Sequence, residues 1–133
     1  MKNDAVRVML NDNGDFSICE SVANNNYLVV FFGDVSICVD NNARDFAKGC
    51  MSEGANVLAI NMKSSLRNQS VYQEGKRNYD YFLLDTLDTA SLKDSSDVLI
   101  AKNLLLVGDY CIASIHANSD CDVIDSLNFL ANN

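Results

Sequence analysis

The chain has 133 residues, 48% hydrophobic and 21% charged, with ten Lys+Arg against 18 Asp+Glu and a net charge of −8. That length suits a single domain, 1–133, that buries a core without disulfide or metal staples, and the composition excludes a disordered chain. The acidic balance argues against a basic nucleic-acid binder, and the Lys63–Arg77 stretch is too short and sparse to supply a phosphate-binding surface, so no nucleic acid is expected as a partner. No apolar run approaches the ~20 residues of a membrane span, so no membrane is expected either.

Proline is absent and glycine occurs six times, so turns fall to Asn, Asp and Ser, whose side chains satisfy nearby backbone groups. Val6–Leu10 and Phe16–Glu20 read as strands joined through Asn13-Gly14, a hairpin signal because both residues accept positive φ. Tyr27–Phe32 and Val35–Val39 read as a second hairpin about Gly33-Asp34. The unbroken apolar run Leu28–Phe32 predicts a central strand covered on both faces. Ala43, Phe46, Ala47, Cys50 and Met51 then fall on one stripe of a helix over about 43–53, with Asn42 as its N-cap and Gly54 as its stop.

Asn56–Met62 reads as a strand, Ser64–Asn78 as a long loop or a twisted hairpin, and Tyr79–Leu84 as a strand. Asp85–Asp97 is an acidic connection. Val98–Ala101 and Leu104–Val107 fit two strands or one short helix equally well, because short apolar runs carry no decisive period. Tyr110–His116 reads as a strand after a Gly108-Asp109 turn. A C-terminal helix over about 120–130 follows, capped by Ser119, with Cys121, Ile124, Leu127 and Leu130 turned inward. The expected class is α+β: a mainly antiparallel sheet with one mid-chain and one C-terminal helix.

Cys19, Cys38, Cys50, Cys111 and Cys121 are odd in number, scattered, and several sit within apolar runs. That pattern suits reduced thiols and a cytoplasmic location. The Met1-Lys2-Asn3-Asp4 start lacks the pattern of a signal peptide. His116, the single histidine, lies in Cys111-x4-His116-x4-Cys121, but a structural zinc wants four ligands and the opening Cys pair is missing. Thiols in apolar settings are poor nucleophiles, and no Gly-rich loop precedes a helix to cradle phosphate. No metal, no cofactor and no catalytic residue is therefore expected.

Charge is the informative feature. Residues 1–79 hold nine acids and eight bases, whereas residues 80–133 hold nine Asp and only Lys93 and Lys102, so seven of the eight net charges fall in the last part of the chain. Asp85, Asp88, Asp94 and Asp97, with Tyr79 and Tyr81 beside them, form the expected surface for a cationic protein partner: aromatic anchors ringed by steering charge.

In size, acidity, Asn/Asp/Ser turns, unpaired cysteines and lack of a catalytic motif, the whole chain resembles the immunity proteins that bacteria make against their own secreted or contact-delivered toxins. The resemblance is one of overall profile. It implies a cytoplasmic, non-catalytic inhibitor that occludes the active site of a cationic toxin, such as a nuclease. Two alternatives stand beside it: a type III secretion chaperone, and a small enzyme using His116 with a cysteine.

Overall fold

A computed structural model describes residues 4–19, 27–34, 36–61, 80–85, 92 and 95–132. In chain order the elements are β1 (Asp4–Leu10), β2 (Phe16–Ile18), β3 (Leu28–Gly33), α1 (Ser36–Ser52), β4 (Val57–Asn61), β5 (Tyr81–Asp85), α2 (Ser95–Leu106), β6 (Tyr110–His116) and α3 (Asp120–Ala131). The strands form one six-stranded sheet in the order β2-β1-β3-β6-β5-β4. No helix among the described residues is long and apolar enough to cross a membrane.

The first hairpin forms as expected, with Val8 opposite Ile18 and Leu10 opposite Phe16. Its turn is organised by Asn11, whose Oδ1 accepts the N–H of Asn13 at 2.9 Å and of Asp15 at 3.1 Å, while Gly14 takes φ +81°. At the outer margin of β2, Asn128 of α3 accepts the Phe16 N–H at 2.8 Å and donates to the Phe16 carbonyl at 3.0 Å.

β3 is the central strand that its apolar run requires. It pairs antiparallel with β1 and parallel with β6. Alternation along the parallel strands divides their side chains between two cores. Leu28, Val30, Phe82, Leu84, Cys111, Ala113 and Ile115 face α2 and α3. Val29, Phe31, Leu83 and Ile112 face α1. α1 covers its face with Val39, Ala43 and Ala47, spaced four apart along one stripe. α2 supplies Val98, Ala101, Leu104 and Leu105 to the other core, and α3 supplies Val123 and Leu127.

The α+β class holds, but the sheet is mixed rather than mainly antiparallel, since β3-β6, β6-β5 and β5-β4 are all parallel. Two differences from the expected elements produce this. The second hairpin does not form: Ile37, Cys38 and Val39 are the opening turns of α1, which puts Asn42 inside the helix instead of at its cap. Val39 shares the stripe of Ala43 and Ala47, and that helical spacing overrides the β propensity of the apolar run. Residues 95–106 form one helix, and a helix between β5 and β6 is the crossover that parallel neighbours need. The chain steps from β3 out to β4 and later back from β5 to β6. Right-handed crossovers in opposite directions place their helices on opposite faces, which is where α1 and α2 pack.

α1 and α2 end alike. Ala55 N–H donates to the Cys50 carbonyl and Gly54 N–H to that of Met51, with Gly54 at φ +97°. Asp109 N–H donates to Leu104 and Gly108 N–H to Leu105, with Gly108 at φ +90°. Both are Schellman closures, which require a left-handed residue after the last turn. They deliver β4 and β6 to the same end of the sheet. α3 opens as its sequence predicts, with the Ser119 hydroxyl accepting the Asp122 N–H at 3.1 Å. Its inner face differs, because Cys121 is exposed and Val123 is fully buried.

Candidate functional site

Tyr81 and Tyr110 are opposite one another at the first positions of β5 and β6. Tyr27 stands just before β3, and its carbonyl accepts the Cys111 N–H at 3.1 Å. The sheet therefore lines up three tyrosines across the amino ends of three neighbouring parallel strands. Each is two residues ahead of a side chain in the α1-side core (Val29, Leu83, Ile112), so alternation brings all three to that face.

The rings touch. Tyr27 and Tyr110 meet edge to face with centroids 5.0 Å apart, and Tyr81 and Tyr110 are tilted at 5.8 Å. Arg7, opposite Val29 in the β1–β3 ladder, lays its guanidinium carbon 5.5 Å from the Tyr27 ring centroid. On the other flank Asp80 N–H donates to the Asn56 carbonyl at 2.8 Å, and Asp80 Oδ2 accepts the Asn56 N–H at 3.0 Å. This reciprocal pair holds the carboxylate in place. Arg7, Tyr27, Ala55, Asp80, Tyr81 and Tyr110 line an open pocket of about 460 Å³. The tyrosines are half-buried, and Arg7 and Asp80 are exposed. Burial, then the neighbouring Tyr27 and Cys50, pushes the Tyr81 phenol up from its ordinary value, so it stays neutral.

Of the residues expected to bind a partner, Tyr81 is in this pocket. Asp85 ends the same strand at its far, carboxyl end, about 13 Å away at strand rise, so Tyr81 and the acidic connection do not share one loop. Asp97 is only 8% exposed in the first turn of α2, where the positive end of the helix favours a carboxylate. It is therefore not a surface charge. Tyr79, Asp88 and Asp94 lie outside the described residues, as does the side chain of Asp85. The expected surface omitted Arg7, Tyr27 and Tyr110. Their shared signal is a tyrosine heading an apolar strand: Tyr27-Leu28-Val29-Val30, Tyr81-Phe82-Leu83-Leu84, Tyr110-Cys111-Ile112-Ala113.

The candidate catalytic groups His116 and Cys111 stand apart, and the side chain of Cys38 lies outside the described residues. His116 is exposed at the carboxyl end of β6, its Nε2 3.1 Å from the Asp34 carbonyl oxygen. Cys111 is buried at the opposite end of that strand, about 16 Å away. Burial and the charge of Asp109 push its thiol well above the ordinary 9.0. Cys50 is pushed up by burial and by Glu53. Among the described residues no three His, Cys, Asp or Glu side chains come together as metal ligands. Ser114 Oγ donates to Asp40 Oδ1 at 2.6 Å between β6 and α1, and Asp40 Oδ2 is buried without a hydrogen-bond partner.

Compared with known proteins, the chain matches no family model, no curated protein and no solved structure.

Proposed function

We propose that this protein is a non-catalytic, cytoplasmic binding module that neutralises a cationic toxin domain by occluding its active site, in the manner of an immunity protein. The observation that carries the reading is the tyrosine row. Tyr and Arg are the residues that dominate binding energy at protein interfaces, where they act as rigid, part-buried anchors. Here three tyrosines and one arginine surround a single open pocket. The net charge of −8 supports a basic partner by accelerating encounter and disfavouring acidic competitors.

The test is affinity capture from producing cells at low salt, with wild type and Tyr110→Ala side by side. The wild type is expected to retain a basic protein that high salt releases, that Tyr110→Ala fails to hold, and that arrests cells when expressed without this chain. Capture of no basic protein, or equal capture by both forms, overturns the reading.

A second reading, a small enzyme, draws on the carboxyl ends of β3 and β6. The helices that follow these strands, α1 and α3, depart to opposite faces, and such switch points are where ligands enter open parallel sheets. His116 stands there. Under the binding reading, His116→Ala leaves neutralisation of the captured toxin unchanged. Under the enzyme reading, it abolishes function in a folded protein.

A further inference from the structure

We infer that the tyrosine pocket receives one guanidinium, that of an arginine on the partner, against Tyr81 and Tyr110 and paired with Asp80. This rests on the binding reading above and adds the chemistry of the contact.

The pocket already shows its preference, because Arg7 of the chain itself lies 5.5 Å from the Tyr27 ring centroid. Aromatic ring faces are electron-rich and attract cations, and a planar guanidinium stacks on them at little desolvation cost. The site is also polar along its length. Across the order β1-β3-β6-β5, Arg7 stands at the β1 margin and Asp80 precedes β5 at the other. Three strand spacings separate their backbones by at least about 14 Å, and the Arg7 guanidinium itself reaches across to Tyr27. A second guanidinium at the β5 margin therefore meets a carboxylate and the rings of Tyr81 and Tyr110, while Arg7 lies against Tyr27. Tyr81 and Tyr110 are inclined at 52°, so a flat group set against one ring presents its edge to the other. Asp80 is held by its paired hydrogen bonds with Asn56, which pre-orients a carboxylate for the two-pronged contact that arginine makes and lysine does not. Of the two charged side chains that line the pocket, Asp80 is the one at the β5 margin, which favours a cation over an anion there.

The experiment is an NMR titration of the full chain with three probes: Nα-acetyl-arginine methylamide, its uncharged citrulline counterpart of nearly the same shape, and the lysine counterpart. The arginine probe is expected to shift the Tyr81 and Tyr110 ring signals saturably and to bind roughly tenfold more tightly than either control. Asp80→Asn keeps an oxygen for the Asn56 N–H, and it is expected to weaken the arginine probe by about tenfold. Equal binding of the citrulline probe, shifts confined to other residues, or indifference to Asp80→Asn in a folded protein each overturn the inference. The two readings fail separately. If the probe does not bind but Tyr110→Ala still abolishes capture of the basic protein, the surface docks a partner by other chemistry. If the probe binds as described but no partner is captured, the docking function falls and the guanidinium site stands.

Discussion

Ser114 and Asp40 bind one another across the smaller core, hydroxyl to carboxylate at 2.6 Å, and neither is open to solvent. One residue comes from β6 and the other from α1, so the bond fixes how the helix sits along the sheet. Asp40→Ala leaves the Ser114 hydroxyl buried without its acceptor and is expected to cost about 1–3 kcal/mol. Asp40→Leu combined with Ser114→Ala removes both polar partners and is expected to recover most of that loss. Urea denaturation of the single and double variants checks this. A double variant no more stable than Asp40→Ala would show that the pair is not what the site depends on.

Gly54 and Gly108 have open space where a Cβ would stand, so only their positive φ resists substitution. Gly54→Ala and Gly108→Ala are each expected to cost about 1–2 kcal/mol, the penalty of a left-handed L-residue. Gly49 also has open space but lies inside α1 without a positive φ, and Gly49→Ala is expected to stabilise by up to about 1 kcal/mol. Thermal melts of the three variants should show opposite signs.

Stability should decline on the alkaline side. The thiol of Cys111 is pushed up in the folded state by burial and then by Asp109, and Cys50 and Tyr81 are raised chiefly by burial. A group with a raised folded pKa stabilises fully below its unfolded value, and that contribution is lost as pH rises toward the folded value. For the thiols the loss begins near 9.0. Urea midpoints measured from pH 7 to 10.5 are expected to fall above about pH 9. Cys111→Val should flatten the fall, and an unchanged slope would remove Cys111 as its source. With iodoacetamide, exposed Cys121 is expected to be alkylated well before Cys111.

Reversing charge at Asp85, Asp88 and Asp94 together is expected to slow association with a basic partner by about tenfold or more at low salt and to flatten the salt dependence. Asp97→Lys belongs to a different class: it places a cation in the buried first turn of α2 and is expected to unfold the protein rather than slow its association. Stopped-flow association and a denaturation curve for each variant separate the two effects. A well-folded Asp97→Lys with a slowed on-rate would return that residue to the docking surface.

Local signals in the sequence located much of the fold. Gly14, the Leu28–Phe32 run, Gly54, Gly108 and the Ser119 cap each act within a few residues, and each does in the structure what its chemistry demands. Less legible was whatever depends on residues beyond a short local run. Ile37-Cys38-Val39 satisfies a strand or a helix by itself, and only the stripe shared with Ala43 and Ala47 decides. Residues 98–107 were ambiguous for the same reason, and with them the direction of half the sheet. The tyrosine pocket was hidden because Tyr27, Tyr81 and Tyr110 become neighbours only once β3, β6 and β5 lie side by side. Asp97 was misplaced because an acid in a charged stretch reads as solvated until a helix begins beneath it.

Asn128 takes both backbone groups of Phe16 at the outer side of β2. The open rim of a sheet invites another extended chain to zip onto it. Here a side-chain amide fills the place of the next strand's peptide, so an incoming segment finds that position occupied. Replacing Asn128 would thus cost more than two hydrogen bonds, because it would leave the Phe16 peptide groups open to an extended segment of another copy in a molecule whose like charges otherwise keep its copies apart.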